Sequence, residues 1–322
     1  MQYHLDFLRP RPLASPIPSE QTLVFLDSRD LIDCLERSRP IDSFGLGRTL
    51  RQKQARLVVT MTTLTELFPG GTVPSHADVE RGVSLAHKLD HIPHCFVRHT
   101  TIPAREFRSA FRAWQSHATG SVEHVVPFVS RFYETLWKPA AGTTDVLVRS
   151  DESEMLHRMT VWEQLRILSL RPESLRWSDT YTVKAAAALD ADRANYGSKR
   201  GTRAALEAAV SRHLQSIGFR EPRDGVSRFA KWLRTQPTVC PGWRIGWDAW
   251  EEYRSNTNSP FVAGDLRDFS HLSILPYVTH FTADAKWRDM LGRARKRRER
   301  DNLPVPYFGN AYAKLDDVLP TL

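Results

Sequence analysis

Cysteine is scarce in this sequence, and long apolar runs are missing from it. Three cysteines stand far apart in a chain of 322 residues. An odd and sparse set of cysteines argues against a disulfide framework and favours a reducing compartment. No stretch approaches the ~20 consecutive apolar residues of a membrane span, and the first residues carry no apolar run of signal-peptide length. We therefore expect a soluble, cytoplasmic protein that has no membrane partner.

The motifs of several large enzyme classes are missing as well. The sequence contains no dinucleotide-binding fingerprint, no Gly-x-Ser-x-Gly nucleophile elbow and no Cys–His arrangement that suggests a nucleophile. The loop 196–203, YGSKRGTR, has glycines and cations, but its spacing is not that of a P-loop. The residues that stand out as candidates for chemistry are acidic.

Two acidic residues follow predicted strands in the first part of the chain. Residues 22–26 form an apolar run of strand length that stops at Asp27, and Ser28 is the predicted cap of the helix that follows. Residues 57–59 predict a second strand, and Glu66 lies in the helical turn after it. Ligands of parallel α/β sheets bind beyond the carboxyl ends of the strands, so both acids are candidate site residues.

The stretch 264–284, GDLRDFSHLSILPYVTHFTAD, contains three more acids. Asp265 and Asp268 are three residues apart, which puts both side chains on one face of a predicted helix that includes His271. A proline ends this helix. The following YVTHFTAD alternates and is rich in β-branched and aromatic residues, which predicts a short buried strand that ends at Asp284.

Together the five acids are a candidate metal site. Clustered carboxylates repel one another unless a cation lies among them. Mg²⁺ and Mn²⁺ take oxygen ligands, and ions held in this way generate a hydroxide nucleophile for phosphodiester hydrolysis. The alternative is a set of unrelated helix caps and surface acids, and the spacing alone leaves both interpretations open.

A long helical block separates the two acidic parts of the chain. We predict that residues 73–259 are all-helical, because segments with helical periodicity follow one another there: 77–89, 104–115, 121–137, 152–170, 180–196, 203–217, 226–235 and 243–253. The predicted organisation is an irregular lead-in (1–20), an α/β core in two halves (21–72 and 260–322) and a helical insertion (73–259). Segments 301–308 and 314–322 are predicted to add edge strands.

The net charge of +8 is unevenly distributed along the chain. Residues 288–300 hold seven basic and two acidic residues, so this segment alone carries +5. Such a run is either a solvated helix face or a phosphate-binding patch.

Two further clusters also have two interpretations. His87 and His91, four residues apart, are either zinc ligands or ordinary surface and core histidines. Trp243, Trp247 and Trp250 share a helical face, which is typical of a core stripe and, less often, of a surface on which RNA bases stack.

The acidic motifs resemble, in their order, those of the PIN-domain nucleases. Residues 22–28, TLVFLDS, are similar to the first strand of that family with its leading Asp. Residues 56–67, RLVVTMTTLTEL, are similar to the second motif, whose acidic position falls on Glu66. GDLRDFSH and FTAD are similar to the third and fourth motifs. The resemblance implies an α/β fold with a PIN-like three-layer core and a central parallel sheet, here interrupted by the large all-helical insertion.

The resemblance also implies metal-dependent cleavage of RNA, or of single-stranded DNA, in a toxin, defence or RNA-processing role. The catalytic ligands of Mg²⁺ or Mn²⁺ would be Asp27, Glu66, Asp268 and Asp284, with Asp265 as the alternative to Asp268. Ser28, His271 and Thr282 would support these acids. The cations expected to face the nucleic acid are Lys286, Arg288, Arg293, Arg295, Lys296 and Arg297.

A function of a different class stays open. The chain would then be a non-catalytic nucleic-acid-binding or regulatory protein on a degenerate PIN-like fold. In either case the helical block is a candidate protein-interaction module that controls the site. An inhibitory partner protein and self-association are compatible with both interpretations.

Overall fold

The computed structural model of the chain describes residues 21–36, 41–60, 63, 66–67, 76–97, 102–116, 128–129, 184, 187–193, 199–236, 239–256, 263–303 and 308–322. The fold is mixed α/β and mostly helical. Its described elements fall into two compact units. Among the described helices, none is long and apolar enough to cross a membrane.

The elements with defined bounds follow one another in chain order. The helices are α1 (Ser28–Leu35), α2 (Ser43–Gln52), α3 (His76–Asp90), α4 (Ile102–Gln115), α5 (Lys199–Ser216), α6 (Arg223–Thr235), α7 (Pro241–Ser255), α8 (Ala263–Leu272), α9 (Ala285–Arg300) and α10 (Leu315–Val318). The strands are β1 (Thr22–Phe25), β2 (Ala55–Thr60), β3 (His94–Val97), β4 (Phe128–Val129), β5 (His280–Thr282) and β6 (Asn310–Tyr312). Single 3-10 turns span Leu275–Tyr277 and Leu319–Thr321.

Unit 1 contains β1 to β4, α1 to α3 and α10. The strand order is β4–β3–β2–β1, in which β1 and β3 run parallel to β2 and the short β4 runs antiparallel to β3. Most residues of β1 and β2 are buried without alternation, which is typical of parallel strands covered on both faces. Helix α1 packs against α2 and α3, and α2 packs against β2.

Unit 2 contains α4 to α9 with β5 and β6. Its largest apolar cluster lies among α4, α5, α6 and the start of α7, and Phe107, Phe111 and Phe229 are completely buried in it. The ring of Phe107 meets Trp243 edge to face, with 5.0 Å between the centroids. Helix α7 also packs against α8 and α9, and β5 runs parallel to β6.

Much of the predicted secondary structure is confirmed. The periodic segments 77–89, 104–115, 203–217, 226–235 and 243–253 are the helices α3 to α7, and the described part of 180–196 is helical too. The predicted strands at 22–26 and 57–59 are β1 and β2, and the predicted helix and strand within 264–284 are α8 and β5. The predicted lead-in, the helix at 152–170 and most of 121–137 lie outside the described residues.

The prediction that residues 73–259 are all-helical is wrong at β3 and β4. His94–Val97 pairs along its whole length with β2, so it belongs to the sheet of unit 1. The strand has four residues and begins directly after a proline, three residues beyond the end of α3. A run this short carries no readable period, because strands and buried helix segments look alike over four residues. The predicted domain boundaries themselves stay a prediction.

Two smaller predictions are also wrong. Segment 314–322 forms α10 and a 3-10 turn instead of an edge strand, and the edge strand β6 lies before it. Leu315 and Val318 are both buried, and a spacing of three puts two side chains on one side of a helix but on opposite faces of a strand. At α1 the cap position belongs to Asp27, whose carbonyl accepts from the N–H of Leu31 at 3.0 Å, and Ser28 is the first helical residue.

Candidate active site

In unit 2 residues at the start of α9 contact Asp265, Asp268 and Asp284, the acids of the predicted second half-site. Asp284 is the N-cap residue of α9, and its Oδ1 accepts from the backbone N–H of Trp287 at 2.8 Å. The indole Nε1 of the same Trp287 donates to Oδ2 of Asp268 at 2.7 Å. One buried tryptophan therefore holds the two predicted catalytic carboxylates, one through its backbone and one through its side chain.

Asp265 is the most buried of the three acids, with 3% of its surface exposed. Its Oδ1 lies 2.5 Å from Nζ of Lys286, the second residue of α9. This ammonium also lies 5.2 Å from the ring centroid of Tyr253. Lys286 was expected to face nucleic acid, and its ion pair with Asp265 gives it a second, local role.

The hydroxyl of Tyr253 lies near all three acids of unit 2. Burial raises the pKa of its hydroxyl well above the ordinary value, and an interaction with the Asp265 carboxylate raises it further. The charges of Asp268 and Asp284 act on the same hydroxyl in the same direction. The acids of α8 and the acid after β5 therefore all lie near Tyr253 in unit 2.

In unit 1 the contact between Ser28 and Glu66 defines the first half-site. The hydroxyl of Ser28 donates to the carboxylate of Glu66 across a sequence distance of 38 residues. Asp27, next in the chain, lies between β1 and α1, and within the described helix α1 its side chain makes no capping hydrogen bond. Asp27 thus occupies a position where an acid usually caps a helix, without that structural role.

The turn that carries Glu66 begins with a hydrogen bond between two threonines. The backbone N–H of Thr63 donates to the hydroxyl of Thr60, the last residue of β2, at 2.9 Å. This bond satisfies one of the first N–H groups of the turn, as a helix cap does. Leu67, completely buried, anchors the other end. Glu66 is therefore fixed close to the carboxyl end of β2, as the sequence predicted.

Two of the predicted supporting residues lie in the structured interior. His271 is 8% exposed on α8, and Thr282 is 2% exposed at the end of β5, in register with Tyr312 of β6. Both positions lie in unit 2 near the chain segments that carry Asp268 and Asp284. Their side chains are held in place by burial, which suits a positioning role.

The carboxylates offer hard oxygen donors, which match the ligand preference of Mg²⁺ and Mn²⁺. Asp265 fits least well as a ligand, because a metal would have to compete with the ammonium of Lys286. Asp268 accepts from a neutral indole and is the better candidate of the two. In the part of the chain that the structure describes, no three His, Cys, Asp or Glu side chains form a group that could hold a metal ion.

The basic segment 288–300 forms α9, and most of its cations contact acids or carbonyls. Arg297 pairs with Glu252 at 2.8 Å and Arg298 pairs with Asp248 at 2.5 Å. The other contacts join Arg288 to the carbonyl of Ala283, Arg293 to Glu252 and Asp289, Arg295 to Glu299, and Arg300 to Asp301. Lys296 is exposed. Much of the positive charge of this helix is therefore neutralised within unit 2.

His94 and Cys95, which follow the predicted histidine pair His87 and His91, and two of the predicted tryptophans have structural roles, whereas the role of the pair itself stays a prediction. His94 is buried with its Nδ1 2.8 Å from the carbonyl of Ile92, and the thiol of Cys95 donates to the carbonyl of Leu57. Burial raises the pKa of Cys95 to about 12. Trp243 stacks on Trp247 with 5.9 Å between the centroids and belongs to the core of unit 2.

One buried acid escaped prediction. Glu106 of α4 is 3% exposed, and its carboxylate accepts from the backbone N–H groups of Gly242 and Trp243 at 2.8 and 2.9 Å. The hydroxyl of Tyr277 donates to it as well, at 2.5 Å. Burial raises the pKa of Glu106 to about 7 although these donors lower it. A lone Glu in an amphipathic helix gives no sequence signal for this; its position beside Phe107 on the buried side of α4 was the only hint.

Trp287 also escaped prediction, although a signal for it exists. An acid at an N-cap is normally bonded by the N–H two or three residues later, and Trp287 is three residues after Asp284. The indole contact with Asp268, in contrast, joins residues 19 apart and required the packing of α8 against α9.

Comparison with known proteins adds no relative from which a role could be transferred. No protein-family model, no curated protein and no solved structure matches this chain. The resemblance to PIN-domain nucleases thus depends on the four short sequence motifs alone.

Proposed function

We propose that this protein is a metal-dependent endoribonuclease of PIN type, which hydrolyses RNA phosphodiester bonds. The observation that carries the proposal is in unit 2, where Trp287 donates its backbone N–H to Asp284 at 2.8 Å and its indole N–H to Asp268 at 2.7 Å. Carboxylates that lie near one another repel unless a cation joins them. Lys286 supplies one such cation, and a bound metal ion would supply more positive charge.

The proposed ligands of Mg²⁺ or Mn²⁺ are Asp27 and Glu66 in unit 1, and Asp268 and Asp284 in unit 2. Such an ion, when bound, lowers the pKa of a coordinated water and stabilises a leaving oxygen. The chain's own residues position these ligands. Trp287 fixes Asp268 and Asp284, and Ser28 fixes Glu66 beside the turn that contains Asp27. The finer fold assignment, a PIN-like three-layer core, is part of the same proposal.

The test is cleavage of a mixture of single-stranded RNA and DNA with and without Mn²⁺. We expect the parent protein to cut RNA only with the metal, and the variant Asp284→Asn to be inactive. Asparagine is as good an N-cap as aspartate, so α9 stays capped and the fold is retained. Asp289→Asn is the matched control, because it removes an exposed acid from the same helix, and it should cut RNA like the parent.

A second readout separates metal binding from catalysis. Mn²⁺ should raise the melting temperature of the parent and of Asp289→Asn, because a ligand that binds only the folded state stabilises it. It should leave Asp284→Asn unchanged. A folded Asp284→Asn protein that cuts RNA at the parental rate would refute the assignment.

A non-catalytic nucleic-acid-binding protein is the second candidate. The observation in its favour is that Lys286 already neutralises Asp265, and that no three-ligand metal group is present among the described residues. On this alternative RNA binds with equal affinity with and without Mn²⁺ and is recovered uncut. The cleavage assay above distinguishes the two candidates directly.

A further inference from the structure

Helix α4 presents three exposed arginines on one side. Arg105, Arg108 and Arg112 are spaced by three and four residues, which places them within about 60° of arc on a helix of 100° per residue. We call these three residues the arginine ridge. Phe107 and Phe111 on the opposite side are completely buried in the core of unit 2, so the ridge is directed away from that core.

Within the described part of the chain, no acid forms an ion pair with the ridge. The one acid of α4, Glu106, is buried, and its carboxylate is turned to the N-terminal N–H groups of α7. Helices α5 and α7 pack against α4, and their acids have other partners. Glu207 contacts Arg203 and Ser227, and the acids of α7 contact arginines as follows: Asp248 with Arg298, Glu251 with Arg254, and Glu252 with Arg293 and Arg297.

We propose that the arginine ridge binds the phosphate backbone of an RNA strand, an inference that rests on the proposed nuclease function. A guanidinium group matches the geometry of a phosphate with two parallel hydrogen bonds. From Arg105 to Arg112 the helix rises about 10 Å. That is about the axial length of three phosphates in one stacked strand at about 3.4 Å each.

The chemistry of the ridge favours RNA over an acidic protein partner. Protein interfaces have a desolvated centre with apolar and aromatic anchors. Three large apolar side chains of α4 are buried: Ile102, Phe107 and Phe111. The residues beside the ridge, Ser109 and Ser116, are small and polar. A row of equal charges without apolar anchors is suited to a polyanion with regularly spaced charges.

The test is fluorescence anisotropy with a labelled single-stranded RNA in EDTA, which keeps the RNA uncut. The variant Arg105→Gln/Arg108→Gln/Arg112→Gln should bind at least about tenfold more weakly than the parent at low salt. Its plot of log affinity against log salt should be less steep by about 2, since each lost phosphate contact on a single strand contributes about 0.7. Glutamine retains helix propensity, so α4 should persist.

A matched control removes the same charge elsewhere. Arg81, Arg203 and Arg300 each form an ion pair with an acid, at Glu36, Glu207 and Asp301. Their triple replacement by glutamine should leave the affinity and the salt slope of the parent unchanged. Should the ridge variant unfold, the single variant Arg108→Gln replaces it, with an expected two- to threefold loss of affinity.

The outcomes separate this inference from the proposed function. Equal binding by the ridge variant and the parent, an equal loss in the control triple, or no RNA binding by the parent would each overturn the ridge assignment. RNA binding that needs the ridge, in a protein that cuts no RNA with Mn²⁺, would retain the ridge and refute the nuclease. Cleavage of RNA by the parent, together with normal RNA binding by the ridge variant, would retain the nuclease and refute the ridge.

Discussion

Two helices of unit 2, α9 and α4, are both rich in arginine but use it differently. The run 288–300 on α9 carries +5, and most of its cations contact carboxylates or carbonyls. Helix α4 carries only three arginines, and all three are exposed. Most of the charge of the denser run is thus paired within unit 2, whereas the sparse one is the better candidate for binding a polyanion. The number of charged residues in a sequence segment does not tell how many of them can bind a ligand, because some of them already form ion pairs within the protein.

The origin of the difference lies in α7. This helix packs against both α4 and α9, and two of its three acids, Asp248 and Glu252, pair with arginines of α9. Asp248 meets Arg298 at 2.5 Å, and Glu252 meets Arg297 at 2.8 Å. Toward α4, α7 presents the N-terminal N–H groups that bind Glu106. Helix α7 therefore neutralises arginines of α9 and leaves the arginines of α4 exposed.

The largest effect on this comparison is expected from Arg298→Met. The guanidinium of Arg298 and the carboxylate of Asp248 are both buried, with side-chain exposures of 6% and 11%. Removing one partner leaves an uncompensated buried charge, so the free energy of unfolding should fall by about 3–5 kcal/mol. Urea unfolding followed by tryptophan fluorescence measures this change.

The control for Arg298→Met is Arg108→Met on the ridge. An exposed arginine without an acidic partner should contribute less than about 0.5 kcal/mol to the free energy of unfolding. The double variant Arg298→Met/Asp248→Leu should recover part of the loss, since both buried charges are then removed. Equal stability of Arg298→Met and Arg108→Met would contradict the pairing of the α9 charge within unit 2.

The next effect concerns the inner side of α4, where Glu106 titrates. Burial raises its pKa from 4.5 to about 7 in the folded protein. Between these values the folded state binds more protons than the unfolded state, so the contribution of Glu106 is lost as the pH rises from 4.5 to about 7. The contribution of Glu106 to the free energy of unfolding should fall by on the order of 3 kcal/mol over this pH range in the parent, and the fall should be absent from Glu106→Gln.

His213, which stacks on Phe107, titrates in the opposite direction. Burial lowers its pKa to about 4, so its contribution is lost as the pH falls from 6.5 toward about 4. The measurement is therefore the difference in the free energy of unfolding between the parent and Glu106→Gln at about pH 5 and about pH 8, in which the effect of His213 cancels. A difference that does not change with pH would mean that Glu106 is ionised throughout.

The smallest effect is expected from Arg295→Gln on the outer side of α9. Arg295 and Glu299 form an exposed pair four residues apart, at 3.0 Å. Pairs of this kind contribute about 0.3–0.5 kcal/mol, so the melting temperature should change by less than a few degrees. The same variant should bind RNA like the parent, in contrast to Arg108→Gln. A weaker affinity for RNA in Arg295→Gln than in Arg108→Gln would reverse the comparison between α9 and α4.

Much of the secondary structure could be predicted because it depends on local patterns. The five helices α3 to α7 and the strands β1, β2 and β5 follow from apolar periodicity, and Asp27 and Asp284 follow the strands β1 and β5 as predicted. Short elements without a period, such as β3, could not be found. Segment 314–322 was wrongly predicted as a strand because its apolar content alone does not show which residues are buried. The buried residues Leu315 and Val318 are three apart, which is a helical spacing.

The candidate site could be predicted only in part. Asp27, Glu66, Asp268 and Asp284 were predicted as site residues from their places after strands and near helix starts, and that role stays a prediction. The contacts that hold them were not identified, because Ser28 meets Glu66 and Trp287 meets Asp268 across 38 and 19 residues of chain. The metal-dependent chemistry stays a proposal.

The sequence by itself determined most of the longer helices and the strands β1, β2 and β5, and which acids stand near their ends. These features depend on side-chain period and capping, which act within a few residues. Only the tertiary structure decided which charges are neutralised. Arg297 and Arg298 meet acids that lie about fifty residues earlier in the chain, whereas the arginines of α4 face away from the core. Electrostatic partners are chosen by packing, and packing joins residues that no local pattern connects.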